Sequence, residues 1–186
     1  MLRSTEPHWR PASQSPPLTP QQRLTLLDEG SLTARLKQLS GGDFRVTVLQ
    51  QCWQTPRHSE AQLLSIDPRA ACLIREVVLT GKGQPWIFAR SVMPALALTG
   101  HLYRLRRLKN SSLGELLFRD HSLQRSEFEL GLFPPPQTLL AKTISSDETL
   151  IGRRCRFELS GKSLMDSEIF LPALWQTIAA IHHVND

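Results

Sequence analysis

Apolar residues recur along this chain at two spacings. Near the N-terminus the spacing is helical. Thr19-Pro20 reads as a helix start, with Thr19 as N-cap and Pro20 at the first helical position, and Leu24, Leu26 and Leu27 form the apolar face. A second helix begins at Ser31, carries Leu32, Leu36 and Leu39, and is stopped by Gly41-Gly42. From Phe44 the period drops to two: Phe44, Val46 and Val48 alternate with Arg45 and Thr47, which predicts a strand. A loop with Pro56 and Pro68 follows. Ala71 to Thr80, the turn Gly81-Lys82-Gly83 and Trp86 to Met93 then read as a hairpin. Pro94 to Lys109 reads as loop and helix, and Ser112 with Glu115 caps a short helix through Phe118. Leu123 to Leu130 is a further strand, and 132–151, opened by three prolines, is an inserted loop. Arg153 to Leu159, the turn Ser160-Gly161-Lys162 and Leu164 to Leu171 form a second hairpin, and Leu174 to Val184 a last helix. Strands in hairpins with helices between them predict an α+β fold with an antiparallel sheet flanked by helices.

The length of 186 residues fits one domain, expected over 20–186, behind a flexible Pro-rich tail at 1–19. Five of the 13 prolines fall in the first twenty positions, and Trp9 is the one large apolar side chain there able to dock. A net charge of +5 and a pI near 9.6 favour anionic partners without choosing among a small acid, a nucleic acid and a membrane surface. The three cysteines, Cys52, Cys72 and Cys155, are far apart and form no CxxC, which argues against a disulfide framework or a thiolate zinc site. The N-terminus lacks the layout of a secretory signal, and no apolar run approaches the ~20 residues of a membrane helix. A cytoplasmic protein is expected.

Two residues stand out against this background. In the strand Leu73-Ile74-Arg75-Glu76-Val77-Val78-Leu79, Arg75 shares a face with Leu73, Val77 and Leu79. A guanidinium on such a face has to meet an acid, which is either a protein carboxylate or a ligand. Glu168 lies with Asp166 between Leu164 and Phe170 on another strand, where a carboxylate serves as hydrogen-bond partner or base, as the partner of Arg75, or as part of a solvated face. The basic run Arg104, Arg106, Arg107 and Lys109 has only Tyr103 beside it and reads as a solvated helix face, so no nucleic-acid partner is expected. The histidines His8, His58, His101, His121, His182 and His183 contain no HxxxH or HExxH spacing, so no metal site is expected. Nucleophile-elbow, phosphate-loop and dinucleotide motifs are absent.

At these same residues the chain resembles the chorismate pyruvate-lyase family. The matching stretches are Gly30-Ser31-Leu32-Thr33, Leu73 to Leu79, Gln84-Pro85-Trp86 through Arg90 to Pro94, Leu113-Gly114 through Phe118, and Phe128 to Gly131. Gly152-Arg153-Arg154, Leu159 to Lys162 and Glu168 to Ala173 continue the series. The resemblance implies a single domain with helical flaps over an internal pocket, needing no metal or cofactor and inhibited by its product. It implies conversion of chorismate to 4-hydroxybenzoate and pyruvate for ubiquinone. Arg75 would grip the ring carboxylate together with the backbone N–H groups of Leu32 and Leu113, and Glu168 would contact the 4-hydroxyl. Leu32 and Leu113 each follow a predicted cap serine, where free N–H groups point outward.

Arg75 suits bidentate recognition of a carboxylate. The enolpyruvyl carboxylate needs its own cation, for which Arg90 is the first choice and Arg154 and Lys162 the next. A rival reading comes from the same fold used as the UTRA-like effector-binding domain of bacterial transcription regulators, which would bind a small aromatic acid without turnover. Those regulators carry a winged helix before the domain, whereas only about twenty Pro-rich residues precede it here. A monomer is expected.

Overall fold

A computed structural model describes residues 6–137, 140, 144 and 146–182. The start of the Pro-rich segment (1–5), part of the inserted loop, and His183 with the end of the last helix at Val184 lie outside the described residues.

Thr19 and Pro20 start a helix as their pattern requires. The Thr19 hydroxyl accepts from Gln22 N–H and the Gln22 side chain accepts from Thr19 N–H, a reciprocal cap for α1 (Pro20–Leu26). The cap Ser31 opens α2 (Leu32–Ser40), and Gly41 closes it at φ 64°, where a glycine costs least. The residues before α1 depart from expectation. The stretch expected to be a loose tail is docked from Glu6 onward: β1 (Arg10–Pro11) adds an edge strand, and Trp9 packs edge-on against Phe133 at 5.7 Å.

The second half of the expected loop also differs. After β2 (Phe44–Gln54), α3 spans His58–Leu64, and the Glu6 carboxylate accepts from its first N–H groups, at His58 and Ser59. That acceptor lies far away in sequence, so no local pattern announces it. Then come β3 (Cys72–Gly81), β4 (Gln84–Pro94), a 3-10 helix (Gly100–Arg107) and α4 (Leu113–Leu117). The single strand expected over 123–130 is split into β5 (Gln124–Arg125) and β6 (Glu129–Phe133). The chain ends with β7 (Leu150–Leu159), β8 (Lys162–Phe170) and α5 (Pro172–His182).

All strands join one antiparallel sheet in the order β1-β6-β7-β8-β4-β3-β2, with β5 pairing β7. One face is covered by α1, α2 and α5, through Leu26, Leu36, Leu174 and Ile178 packed on Val77, Ile87 and Phe170, and toward one end by the 3-10 helix and α4. The other face carries Trp9, Leu140 and Ile144 over Phe88 and Ile169, and α3 through Leu64. No helix among the described residues is long and apolar enough to cross a membrane.

Two tight turns set the register. Ser160-Gly161 joins β7 to β8, and Lys82-Gly83 joins β3 to β4, all four residues having positive φ as a two-residue hairpin turn needs. The β7–β8 ladder runs unbroken from its turn. The β3–β4 ladder does not: Thr80 pairs with Pro85 but Leu79 pairs with Ile87, so Trp86 is an extra residue on β4. Its ring is fully buried against the bare backbone of Gly81, where a Cβ would overlap the ring. Gly81→Ala is therefore expected to cost about 1–3 kcal/mol, the usual range for overpacking, read as a lower melting temperature. An unchanged melting temperature would mean the Trp86 ring is free to move.

Candidate active site

Antiparallel pairing puts cross-strand partners on one face. Two rows of such partners cross the middle of the sheet. The first runs Arg75, Ser91, Asp166, Cys155, and the second Val77, Ala89, Glu168, Arg153. All eight line one cavity of about 580 Å3, counting the part that opens to solvent. The small side chains of Ala89 and Ser91 leave a trough along β4. Arg75 stands on one side of it, with Asp166 and Glu168 on the other.

The N-terminal turns of α2 and α4 roof the trough. Leu32 and Thr33 come from one, and Ser112, Leu113 and Gly114 from the other. The Thr33 and Ser112 hydroxyls meet at 2.6 Å in a buried hydrogen bond, so the two helix starts are latched together. The first N–H groups of these helices, at Leu32 and Leu113, have no intrahelical acceptor.

Arg75 is 1% exposed. Its Nη2 donates to the carbonyls of Lys109 and Ser111, both at 2.9 Å, which ties the loop before α4 to the sheet. Its buried Nε has no partner, and the guanidinium forms no ion pair among the described residues. Burial lowers its pKa from the ordinary arginine value, with the Asp166 charge acting in the opposite sense. A buried cation that forms no ion pair is a costly arrangement that an anionic ligand would relieve.

Glu168 is taken by a different arginine. Arg153 Nε donates to Glu168 Oε2 at 2.6 Å, and Arg153 Nη1 donates to the carbonyls of Leu26 and Asp28 at 3.0 Å. The Arg153 guanidinium also lies 4.3 Å from the centre of the Phe128 ring. The pair joins the sheet to the segment that leads into α2. Glu168 is thus not the partner of Arg75, one of the alternatives left open by its sequence.

Over residues 4–180 the sequence matches the profile of the family described as chorismate lyase. The chain belongs to the chorismate lyase family. A probable chorismate pyruvate-lyase 2 of Pseudomonas fluorescens is 41% identical over 181 residues, covering 97% of both chains. A probable chorismate pyruvate-lyase of Pseudomonas putida is 46% identical over 169 residues, covering 90% of both. The chain is accordingly a lyase, as its resemblance implied. Among solved structures, the effector domain of PhnF from Mycobacterium smegmatis superposes with a TM-score of 0.56 at 17% identity, covering 80% of this chain and 92% of that one. A GntR-family regulator from Bacillus cereus gives 0.51 at 12% identity, covering 70% and 93%. These two share the fold.

Of the residues singled out in this chorismate lyase family member, Arg75, Glu168, Leu32 and Leu113 come together around the trough. Arg90 does not. It lies on the opposite face of the sheet, 5% exposed, held by Glu60 at 2.7 and 3.0 Å and by Glu76 at 2.8 Å. Arg154 shares that face and is held by Glu129 at 2.6 Å, while Lys162 binds Thr99 at the β7–β8 turn. None of the three cations expected to meet a second carboxylate lines the cavity.

Two charged lining residues, Arg153 and Arg125, were given no role by the sequence reading, and Asp166 was noted only beside Glu168. Arg153 was accessible, because counting back from the β7–β8 turn sets it opposite Glu168. Arg125 was not, because its strand is only two residues long. Its guanidinium stacks 4.4 Å from the Phe128 ring centre, donates to Glu29 O at 2.9 Å, and forms no ion pair among the described residues.

Proposed function

We propose that this lyase cleaves chorismate into 4-hydroxybenzoate and pyruvate, the aromatic acid serving as the ubiquinone ring precursor, as a cytoplasmic monomer. The observation that carries this reading is Arg75, a buried guanidinium lining the trough that forms no ion pair among the described residues. The ring carboxylate would take the Arg75 fork and the N–H groups of Leu32 and Leu113. The 4-hydroxyl would lie toward Glu168, across the trough. Arg125 replaces Arg90 as the cation for the enolpyruvyl carboxylate, because it lines the cavity and pairs with no protein acid among the described residues.

The chemistry asks for little beyond this. The C3–O bond breaks, the C4 hydrogen leaves as a proton, and aromatisation drives the change, so no oxidant or reductant enters the balance. The protein holds the ring, excludes water and offers charge where charge develops.

The test is purified protein mixed with chorismate, with product followed by chromatography. Equimolar 4-hydroxybenzoate and pyruvate are expected. Arg125→Met should raise KM for chorismate about tenfold, the loss of one charge-assisted hydrogen bond, while sparing the affinity for 4-hydroxybenzoate, which lacks the second carboxylate. Binding of 4-hydroxybenzoate with no turnover of chorismate would reject the lyase reading in favour of an effector-binding domain, the use made of this fold in the PhnF structure.

A further inference from the structure

The trough holds one carboxyl group that the binding scheme above leaves without a task. Asp166 precedes Glu168 by two residues on β8, so both side chains rise from the same face, about 7 Å apart at the backbone. Their surroundings differ. Glu168 is matched by Arg153 at 2.6 Å. Asp166 forms no ion pair among the described residues, and its one side-chain partner is the Ser91 hydroxyl at 2.9 Å. It lines the cavity and keeps some accessible surface there. Burial, followed by the Glu168 charge, pushes its carboxyl well above the usual carboxylate range, against the Ser91 hydrogen bond and the charges of Arg75 and Arg153. Two neighbouring carboxyl groups with such different partners are the usual basis for one acid and one base.

We propose that Asp166 is the general acid of this site, delivering its proton to the ether oxygen of the bound enolpyruvyl group while Glu168 takes the proton from C4. This rests on the chorismate reading. A ring running from Arg75 in the first row to Glu168 in the second lies diagonally over β4, and Asp166, across Ser91 from Arg75 in the first row, flanks the ring edge rather than either pole. In the step, the C3–O bond breaks and its electron pair stays on the ether oxygen, which gains the Asp166 proton and leaves as the enol of pyruvate. The C4–H pair becomes the new ring double bond as Glu168 accepts that proton. The enol becomes pyruvate by moving its hydroxyl proton to the methylene through water. The proton on Glu168 then returns to Asp166 and restores both groups. No electrons enter or leave.

The test reads the single-turnover rate against pH. The charged and titratable groups facing Asp166 are Arg75 from β3, Arg153 and Cys155 from β7, Arg125 from β5 and Glu168 from its own strand. The arginines stay charged, and burial pushes the Cys155 thiol far up. The rate should therefore fall as pH rises through the elevated Asp166 value, because the proton donor is then lost. Asp166→Asn should fold, bind 4-hydroxybenzoate as the wild type does, turn over at least about a hundredfold more slowly, and lose that alkaline limb. In wild type, D2O should slow the single turnover on the plateau.

An Asn variant that keeps its rate, or keeps the same alkaline limb, overturns the assignment. If that variant does not fold, a wild-type rate that stays flat on the alkaline side and unchanged in D2O overturns it instead. A wild type that binds 4-hydroxybenzoate but makes no pyruvate fails at the earlier step: the chorismate reading falls, and this role with it.

Discussion

Arg75→Met is expected to melt no lower than wild type without ligand, and to lose nearly all response to 4-hydroxybenzoate. The side chain is buried, its Nε is unsatisfied, and it has no acidic partner among the described residues. An apolar chain of similar length removes the uncompensated charge, and such replacements are often neutral or stabilising. Two carbonyls, at Lys109 and Ser111, lose a donor and set the opposing cost. Binding carries the large effect. Truncating one partner of a buried hydrogen-bonded charge pair costs about 2–5 kcal/mol, roughly 30-fold to several thousandfold in affinity and in kcat/KM. Thermal melts with and without 4-hydroxybenzoate, beside a turnover assay, read both. A variant that binds normally would remove Arg75 from the site; one that melts far lower would make it a structural strut.

Arg153→Met should do the reverse and lower stability sharply. Its guanidinium serves three acceptors at once: Glu168 and the carbonyls of Leu26 and Asp28. Methionine serves none. Breaking a buried pair by removing one partner costs about 3–5 kcal/mol, because the other charge stays behind. For a chain of this size each kcal/mol moves the melting temperature by about 2–4 °C, so a fall of roughly 6–20 °C is expected. The stranded Glu168 carboxylate would also face Asp166 without its cation. Calorimetry decides: a shift under about 2 °C would mean that the surroundings adapt.

The contrast between the two arginines shows how much of the site can be read from residues alone. Period-two alternation put Arg75 on an apolar face, and the turn at Ser160-Gly161 contains the register that pairs Arg153 with Glu168. Serine caps at Ser31 and Ser112 located both flap helices. Arg90 was misplaced for a definite reason. Counting from the turn at Lys82-Gly83 in an unbroken ladder sets Arg90 opposite Arg75, on the cavity face. The extra residue Trp86 moves the pairing by one, so Ser91 takes that place and Arg90 turns to the back, beside Glu76. Alternation cannot reveal a bulge whose cause is a ring seated over Gly81 in three dimensions. The docking of Glu6 on α3 and of Trp9 on Phe133 is equally long-range, which is why a Pro-rich segment read as a tail.

The Trp86 bulge also governs how this hairpin can change its length. β4 carries opposite chemistry on its two sides, Ala89 and Ser91 inward, Phe88 and Arg90 outward. Deleting Trp86 would leave those sets in place, because the ladder would then run unbroken from the turn with Leu79 still opposite Ile87 and Arg75 still opposite Ser91. Drawing Trp86 into the ladder at unchanged length would exchange them, turning the Arg90 guanidinium into the trough and the Ser91 hydroxyl out of it. The hairpin can therefore lose that one residue and keep its two sides, whereas losing the bulge without losing the residue turns the trough inside out.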